Sequence, residues 1–317
     1  MQISLVNTMK VLVTGANGFI GKALCLYLFS VGHEVVPIVR RGYKFPEGHL
    51  ATPYDDQNWE FFLNRCDVVI HLAGRAHVMR ERHPDPLEAF RVANLVPTMQ
   101  LASRSVEAGV KRFIFISSIK VNGEETTPDT CFKPDDDPHP KDAYSVSKYE
   151  AEQALLAFAQ RNLLEVVIIR PPLVYGPNVK GNFASMLKWV KQGIPLPLLG
   201  MKHNRRSFVS LYNLIDLIAS CMVHPKATNQ IFLAGDGEDL STCDLLLRTC
   251  RALCVTPRLF YVHPMVLKTG ARMINKLDLY QRLCSSLQAD ITKNQILLGW
   301  KPPITVDEGL NRAVKGL

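Results

Sequence analysis

The pentapeptide YSVSK sets a phenol, Tyr144, four residues before an ammonium, Lys148. On a helix that spacing stacks both side chains on one face, one turn apart. An ammonium beside a phenol favours the phenolate and draws the tyrosine pKa from about 10 toward working pH. Tyr144 so placed could serve as general acid or base between a carbinol and a carbonyl. Tyr-xxx-Lys also recurs by chance, and alone it reads equally as an exposed helical pair. Upstream, RFIFISSIKVNG (Arg112 to Gly123) reads as a buried strand running into a turn. Ser117 and Ser118 stand where that strand ends, followed by Ile119 and Lys120.

A second constellation opens the chain. In TGANGFIG, Gly15, Gly18 and Gly21 recur every third residue, with Asn17, Phe19 and Ile20 among them. Glycines there allow a tight turn, close approach of backbone N–H groups to a pyrophosphate, and close helix–strand packing. The following strand, HEVVPIVRR, ends in Arg40 and Arg41, where an NAD-specific site often carries an acid. An arginine pair can grip a 2′-phosphate, which favours NADP(H); if both are solvated loop residues, NAD(H) is the alternative. HLAG (His71, Leu72, Ala73, Gly74) ends a later strand at the same edge, so its backbone is expected to line the cofactor groove.

These pieces need a scaffold. Short β-branched runs alternate with longer helical patterns from Lys10 to Arg170, and the strands are almost continuously apolar. That alternation predicts an α/β fold with a doubly wound parallel sheet of Rossmann type, its strand C-termini sharing one edge. The helical pattern from Pro86 to Ala108 is broken by Pro97, so an interrupted helix is expected there. The proline-rich acidic stretch from Thr126 to Pro140 reads as an exposed loop. Past Arg170 the texture becomes loop-rich. The division is therefore 9–170 for a dinucleotide-binding domain and 171–317 mainly for a smaller substrate-binding lobe, part of it returning to the sheet.

Composition narrows the classes. Hydrophobic residues make up 47% and charged residues 21% of 317, an ordinary globular balance. No apolar run reaches the length of a membrane-spanning helix, so no membrane insertion is expected. MQISLVNT lacks a basic start followed by an apolar block, so a cytoplasmic protein is expected, and MKVLVTG from Met9 reads as the more natural beginning. The eight cysteines form no CxxC pair, and Cys250 and Cys254 have no His cluster beside them. Packed thiols are expected, and no metal site. The net charge of +8 is dispersed, which favours a small polyanionic ligand over nucleic acid.

Together TGANGFIG, HLAG, RFIFISSIKVNG, YSVSK, RPPLVYGP and RRSFVSLYNLIDL resemble the extended short-chain dehydrogenase/reductases. Among these the chain is most similar to the UDP-glucose 4-epimerase-like branch, which acts on nucleotide sugars. The resemblance implies that Ser118 is the catalytic hydroxyl, binding the reacting oxygen beside Tyr144. It implies that Lys148 tunes the phenol and holds the nicotinamide ribose, that Pro171 borders the cofactor, and that Asn94 supports the strand ends. The family's dehydratases place Asp-Glu right after that hydroxyl; Ile119 and Lys120 cannot move those protons, which excludes 4,6-dehydration. On the sugar-nucleotide side the resemblance points to Asn182, to PLPLLG with Leu198 against the pyrimidine, to Arg206 on the diphosphate, and to Arg282 as a second arginine.

Three departures stand out: Leu173 in place of an asparagine, Asn122 in place of a tyrosine, and Asn213 in place of an aspartate. They point away from a housekeeping glucose/galactose epimerase. The resemblance implies instead a 4-keto reductase of UDP-2-acetamido-2,6-dideoxy-hexos-4-ulose in bacterial polysaccharide biosynthesis, with a homodimer as default assembly. The alternatives are a UDP-hexose or UDP-N-acetylhexosamine 4-epimerase that retains NAD, and a dinucleotide-sensing protein without catalysis.

Overall fold

The computed structural model describes residues 8–39, 52–53, 59–76, 83–127, 129–273, 275 and 277–316. Residues 1–7, Arg40, Arg41 and the side chain of Arg282 lie outside them.

Seven parallel strands make the main sheet. They are β1 (Lys10–Thr14), β2 (Glu34–Val39), β3 (Thr52–Pro53), β4 (Val68–His71), β5 (Arg112–Ile116), β6 (Glu165–Arg170) and β9 (Gln230–Leu233). Their order across the sheet is β3-β2-β1-β4-β5-β6-β9. Their apolar runs are explained by burial on both faces. Along β5, Phe113 and Phe115 point to one layer and Ile114 and Ile116 to the other, the two-residue period of a strand. The Ile layer packs against α1 (Phe19–Ser30) and α6 (Leu211–Val223) through Leu24, Leu28, Leu214 and Ile218. The Phe layer packs against α2 (Trp59–Leu63), α3 (Pro86–Glu107) and α4 (Ala143–Ala159) through Leu63, Leu101 and Leu155. Arg112 fastens α6 in place: its guanidinium donates to the carbonyls of Cys221, Met222 and His224 at 2.8, 2.9 and 3.0 Å. Those carbonyls end a helix and lack partners within it.

The remaining elements are β7 (Leu173–Tyr175), β8 (Phe208–Ser210), α5 (Gly181–Lys191), α7 (Thr242–Ala252), α8 (Pro264–Met273), α9 (Leu277–Cys284), α10 (Thr292–Leu298) and α11 (Val306–Val314). Strands β7 and β8 pair in parallel, and Tyr175, Phe183, Leu187, Leu245 and Leu310 build a separate apolar cluster there. A buried carboxylate joins this cluster to the sheet. Asp236 accepts from Tyr175 Oη at 2.7 Å, the Ser210 amide at 2.8 Å and Asn213 Nδ2 at 2.7 Å.

Two expectations need correction. Helix α3 runs unbroken through Pro97. The proline removes one N–H, but Asp85 caps the start by accepting from Leu87 and Glu88 at 3.0 and 3.1 Å. Packing against the sheet and α4 outweighs the one lost bond. The stretch from Thr126 to Pro140 is also more than a solvated loop. Its amides at Thr126 and Phe132 donate to Ser286 and Gln288 at 2.9 and 2.8 Å, stitching it to the far end of the chain.

The order of the sheet reverses at β1, whose neighbours are β2 and β4. The crevice beyond the C-termini of β1 and β4 is where ligands bind in such sheets.

Candidate active site

Gly15 follows β1 with φ +67°, a conformation that favours glycine. A Cβ there would lie 2.8 Å from the Ala73 nitrogen, so the turn is pressed against the backbone following β4. At Gly21 a Cβ would sit 2.2 Å from the Gly15 carbonyl oxygen. Gly18 caps α1 without any side-chain acceptor, and no acid stands in the first turn. The N–H groups of that turn therefore face the crevice with the positive end of the helix dipole behind them, a cradle shaped for phosphate.

Behind the cradle runs a buried chain of hydrogen bonds with one polarity. The Ala73 amide donates to Thr14 Oγ1 at 3.2 Å, so the Thr14 hydroxyl donates onward to His71 Nδ1 at 2.7 Å. His71 Nε2–H then donates to Thr98 Oγ1 at 3.0 Å, whose proton goes to the Asn94 carbonyl at 2.5 Å. Burial, with Lys148 adding to it, pushes the His71 pKa down to about 3, so the ring is neutral in this tautomer. The Asn94 side chain continues the support. It accepts from the Arg75 amide at 2.7 Å and donates to Ser147 Oγ at 2.9 Å, and Ser147 donates to the Tyr144 carbonyl at 2.7 Å.

Tyr144 lies in the first turn of α4, which Asp142 caps. Asp142 Oδ1 accepts from the Ser145 amide at 2.7 Å while Ser145 Oγ accepts from the Asp142 amide at 3.1 Å. Ser118 hydrogen-bonds the Tyr144 phenol, and its oxygen also accepts the Lys120 amide at 3.3 Å. Lys148 is almost wholly buried, its Nζ 4.0 Å from the centroid of Phe115. A Cβ on Gly74 would fall 3.8 Å from that Nζ and 3.3 Å from Asn94 Oδ1. The Tyr144 phenol and the Ser118 hydroxyl thus meet, while the Lys148 ammonium lies beside Phe115 and Gly74 at the edge of the cradle.

Their acidities depart from the sequence expectation. Burial pushes the Tyr144 phenol up to about 12; the Ser118 hydrogen bond pulls it down and the Asp142 charge pushes it further up. Tyr144 is half-buried, and burial is the largest cause of its raised pKa. The same burial lowers Lys148 to about 7, against an upward pull from Glu152. An expected phenolate is here a phenol.

Three supports escaped sequence reading. Lys120 bridges to Asp142 at 2.5 Å, so the lysine standing where dehydratases have an acid braces the cap of the tyrosine helix. Fully buried Glu152 pairs with Arg170 through contacts of 2.5, 3.0 and 3.2 Å. Arg170 Nη1 also donates to Asn122 Oδ1 at 3.0 Å, which explains the asparagine in that turn. Long-range pairing of this sort leaves no local signal beyond the residue types. Asn213 receives a structural account too. It donates to Asp236 and to the Ile304 carbonyl at 3.0 Å, and an aspartate there would set two carboxylates together. For Leu173, 41% exposed on β7, nothing in the structure explains the residue. The buried Ser117 hydroxyl has no partner among the described residues.

The other expected positions are more scattered. Pro171 is buried and its carbonyl accepts the Ile119 amide at 3.0 Å, coupling β6 to the Ser118 turn. Phe19 reaches Gly176 in RPPLVYGP, where a Cβ would meet its ring at 3.6 Å. Asn182 is exposed in the first turn of α5. Leu198 packs with Val190, Leu246 and Cys250. Arg206 donates to the Ser285 carbonyl at 3.0 Å, and burial lowers its pKa, with Cys284 acting against that. Among the described residues no hydrogen bond, ion pair or ring contact joins Asn182, Leu198 or Arg206 to Tyr144; Tyr144 meets Phe90 instead, ring centroids 6.0 Å apart.

The NAD-dependent epimerase/dehydratase family model matches residues 11–235, which includes the cradle, HLAG, Ser118, Tyr144 and Lys148. The chain belongs to this family. It is 42% identical over 310 residues to UDP-glucose 4-epimerase of Vibrio cholerae, covering 96% of this chain and 94% of that protein. It is 26% identical over 311 residues to GDP-6-deoxy-D-mannose reductase of Pseudomonas aeruginosa, covering 96% and 95%. Among solved structures it is similar to MoeE5 in complex with UDP-glucose and NAD, with a TM-score of 0.76, 26% identity, and 97% and 98% of the two chains covered. The Rossmann-type fold and the extended short-chain dehydrogenase/reductase class follow, and with them an enzyme.

Proposed function

We propose that this family member is a nucleotide-sugar oxidoreductase that reduces a 4-keto sugar, UDP-2-acetamido-2,6-dideoxy-hexos-4-ulose, in bacterial polysaccharide biosynthesis. The observation carrying the oxidoreductase reading is the Tyr144 phenol, hydrogen-bonded by Ser118 one turn before buried Lys148 on the helix beside the glycine cradle. Such a phenol is set to give its proton to an oxygen that has just become an alkoxide.

The cradle suits a dinucleotide: Gly15, Gly18 and Gly21 let the turn pack backbone on backbone, a Cβ at Gly15 falling 2.8 Å from the Ala73 nitrogen, and the free first-turn N–H groups of α1 would take the pyrophosphate. Leu72, Ala73 and Gly74 would border the ring-bearing half, and Lys148 would hold ribose hydroxyls. When bound, the nicotinamide supplies a hydride. The protein's part is to orient the ketone through Ser118, deliver the Tyr144 proton, and keep the groups aligned through Asn94 and Asp142. Arg40 and Arg41 support NADP(H) over NAD(H), since a consumed reductant with a 2′-phosphate would suit them. Asn182, Leu198, Arg206 and Arg282 are proposed for the UDP half. A homodimer through α3 and α4 is proposed as well, supported by Val92 and Val96, exposed one turn apart on α3.

A second reading, a 4-epimerase with retained NAD, is favoured by the Vibrio cholerae relative. One experiment separates the two. The protein is incubated with UDP-4-keto-6-deoxy-N-acetylglucosamine and with UDP-N-acetylglucosamine, following NADPH absorbance and product NMR. Stoichiometric NADPH oxidation with the keto sugar supports the reductase. Interconversion of UDP-N-acetylglucosamine without added dinucleotide overturns it in favour of the epimerase.

A further inference from the structure

Helix α8 contributes no buried residue. Its outward side chains include Met265, Val266 and Met273, exposed by 73, 62 and 83%, and just before it Phe260 and Tyr261 are exposed by 48 and 62%. Five of the large apolar side chains that the described residues leave in water thus run along one short segment. Large patches of this type mark interaction sites. The same segment is strongly basic. From Thr256 to Cys284 the sequence holds Arg258, Lys268, Arg272, Lys276 and Arg282 against one acid, Asp278, whereas the whole chain carries 37 basic and 29 acidic residues. On α8, Lys268 and Arg272 are one turn apart and exposed, flanking the methionines.

We infer that this face docks on an anionic phospholipid surface. Apolar side chains bordered by lysine and arginine match an interface whose headgroups are negative and whose interior is apolar. Nucleic acid offers anions but no apolar bed for two methionines and a valine. No helix among the described residues is long and apolar enough to cross a membrane, so the attachment is peripheral and reversible. The lead-in to α8, from Arg258 to Val262, is hydrogen-bonded to the body of the protein. The Leu196 amide donates to the Arg258 carbonyl at 2.9 Å and the Phe260 amide to the Leu196 carbonyl at 3.1 Å, while the Leu199 amide donates to the Phe260 carbonyl at 3.3 Å. A Cβ on Gly200 would lie 2.9 Å from the Val262 carbonyl oxygen. Docking would therefore fix the PLPLLG segment at the lipid boundary.

The test is co-sedimentation of the full chain with vesicles of phosphatidylglycerol in phosphatidylethanolamine, against vesicles of phosphatidylcholine alone. The chain should sediment with the anionic vesicles only, and high salt should release most of it. The variant Lys268→Gln/Arg272→Gln should lose about fivefold in partition per cation removed. Met265→Asp/Met273→Asp should abolish sedimentation while melting temperature and dinucleotide affinity stay at wild-type values. Equal partition to both vesicle types, or unchanged partition of the methionine variant, overturns the inference. So does a fall in particle mass on light scattering for that variant, which would make the face a contact between copies of the chain.

Discussion

The Lys120 ammonium lies 2.5 Å from the Asp142 carboxylate, joining the turn that presents Ser118 to the cap of the helix that presents Tyr144. The Ser118 turn and the Tyr144 helix are therefore held by one strap. Both ends are over a third exposed, so the pair itself contributes little stability. Its value lies in alignment. Lys120→Met should lower kcat several-fold and leave the melting temperature within about a degree or two. Ile119→Asp/Lys120→Glu, which restores the dehydratase pair, should yield no dehydration product by NMR. It should also melt lower, chiefly because Ile119 is buried beside Leu233 and Leu287 and an aspartate there would bury a carboxylate. To a lesser degree, the carboxylate at position 120 would face Asp142.

Tyr144→Phe should reduce turnover by about a hundredfold to ten-thousandfold, the usual worth of a positioned proton donor. Ser118→Ala should fall within the same range or slightly above its lower bound. Dinucleotide affinity by titration should change little in either. Unaltered turnover in Tyr144→Phe would remove the phenol from the chemistry.

Glu152 and Arg170 form a fully buried ion pair, with Asn122 also accepting from the guanidinium and the Glu152 charge felt by Lys148. Glu152→Ala leaves a buried guanidinium uncompensated and should cost about 3–5 kcal/mol in chemical denaturation. Glu152→Gln keeps the shape but removes the charge that pulls Lys148 upward, so any pH-rate limb reporting Lys148 should move below about 7. A limb that stays put would disconnect the pair from the lysine.

Gly21→Ala forces a methyl group into the Gly15 carbonyl oxygen and should remove dinucleotide binding in calorimetry while the circular dichroism spectrum stays close to wild type. Gly109→Ala is a useful contrast. Its φ is also positive, but a Cβ there meets nothing within 4 Å, so only a modest loss of stability is expected.

His71 has a folded pKa depressed from 6.5 to about 3. The unfolded chain takes up the proton first, so the contribution to stability is complete above about 6.5, is lost progressively as pH falls, and levels off below about 3. His71→Gln can accept from Thr14 and donate to Thr98 without titrating. Its denaturation midpoint should depend less steeply on pH across that window than the wild-type midpoint does.

Much of this was readable beforehand because it is local. A glycine turn between strand and helix, a tyrosine and lysine one turn apart, and strands apolar on both faces all announce themselves within a few residues. The acidity of Tyr144 was not readable. Spacing suggested an ammonium acting on it, whereas enclosure and Asp142 decide the direction. Pro97 misled for a similar reason, since a helix-breaking signal is weighed locally while the packing that overrides it comes from α4 and the sheet. Asn122 and Asn213 looked like changes of chemistry and turn out to serve remote partners, Arg170 and Asp236.

The polarity of the chain through Thr14, His71, Thr98 and Asn94 has a consequence for turnover. Every proton in that row is already spoken for, and its two ends are fixed, since the Ala73 amide can only donate and the Asn94 carbonyl can only accept. The interior of the sheet is a dead end for proton supply. If Tyr144 gives up a proton in each cycle as proposed, the replacement does not come along this row.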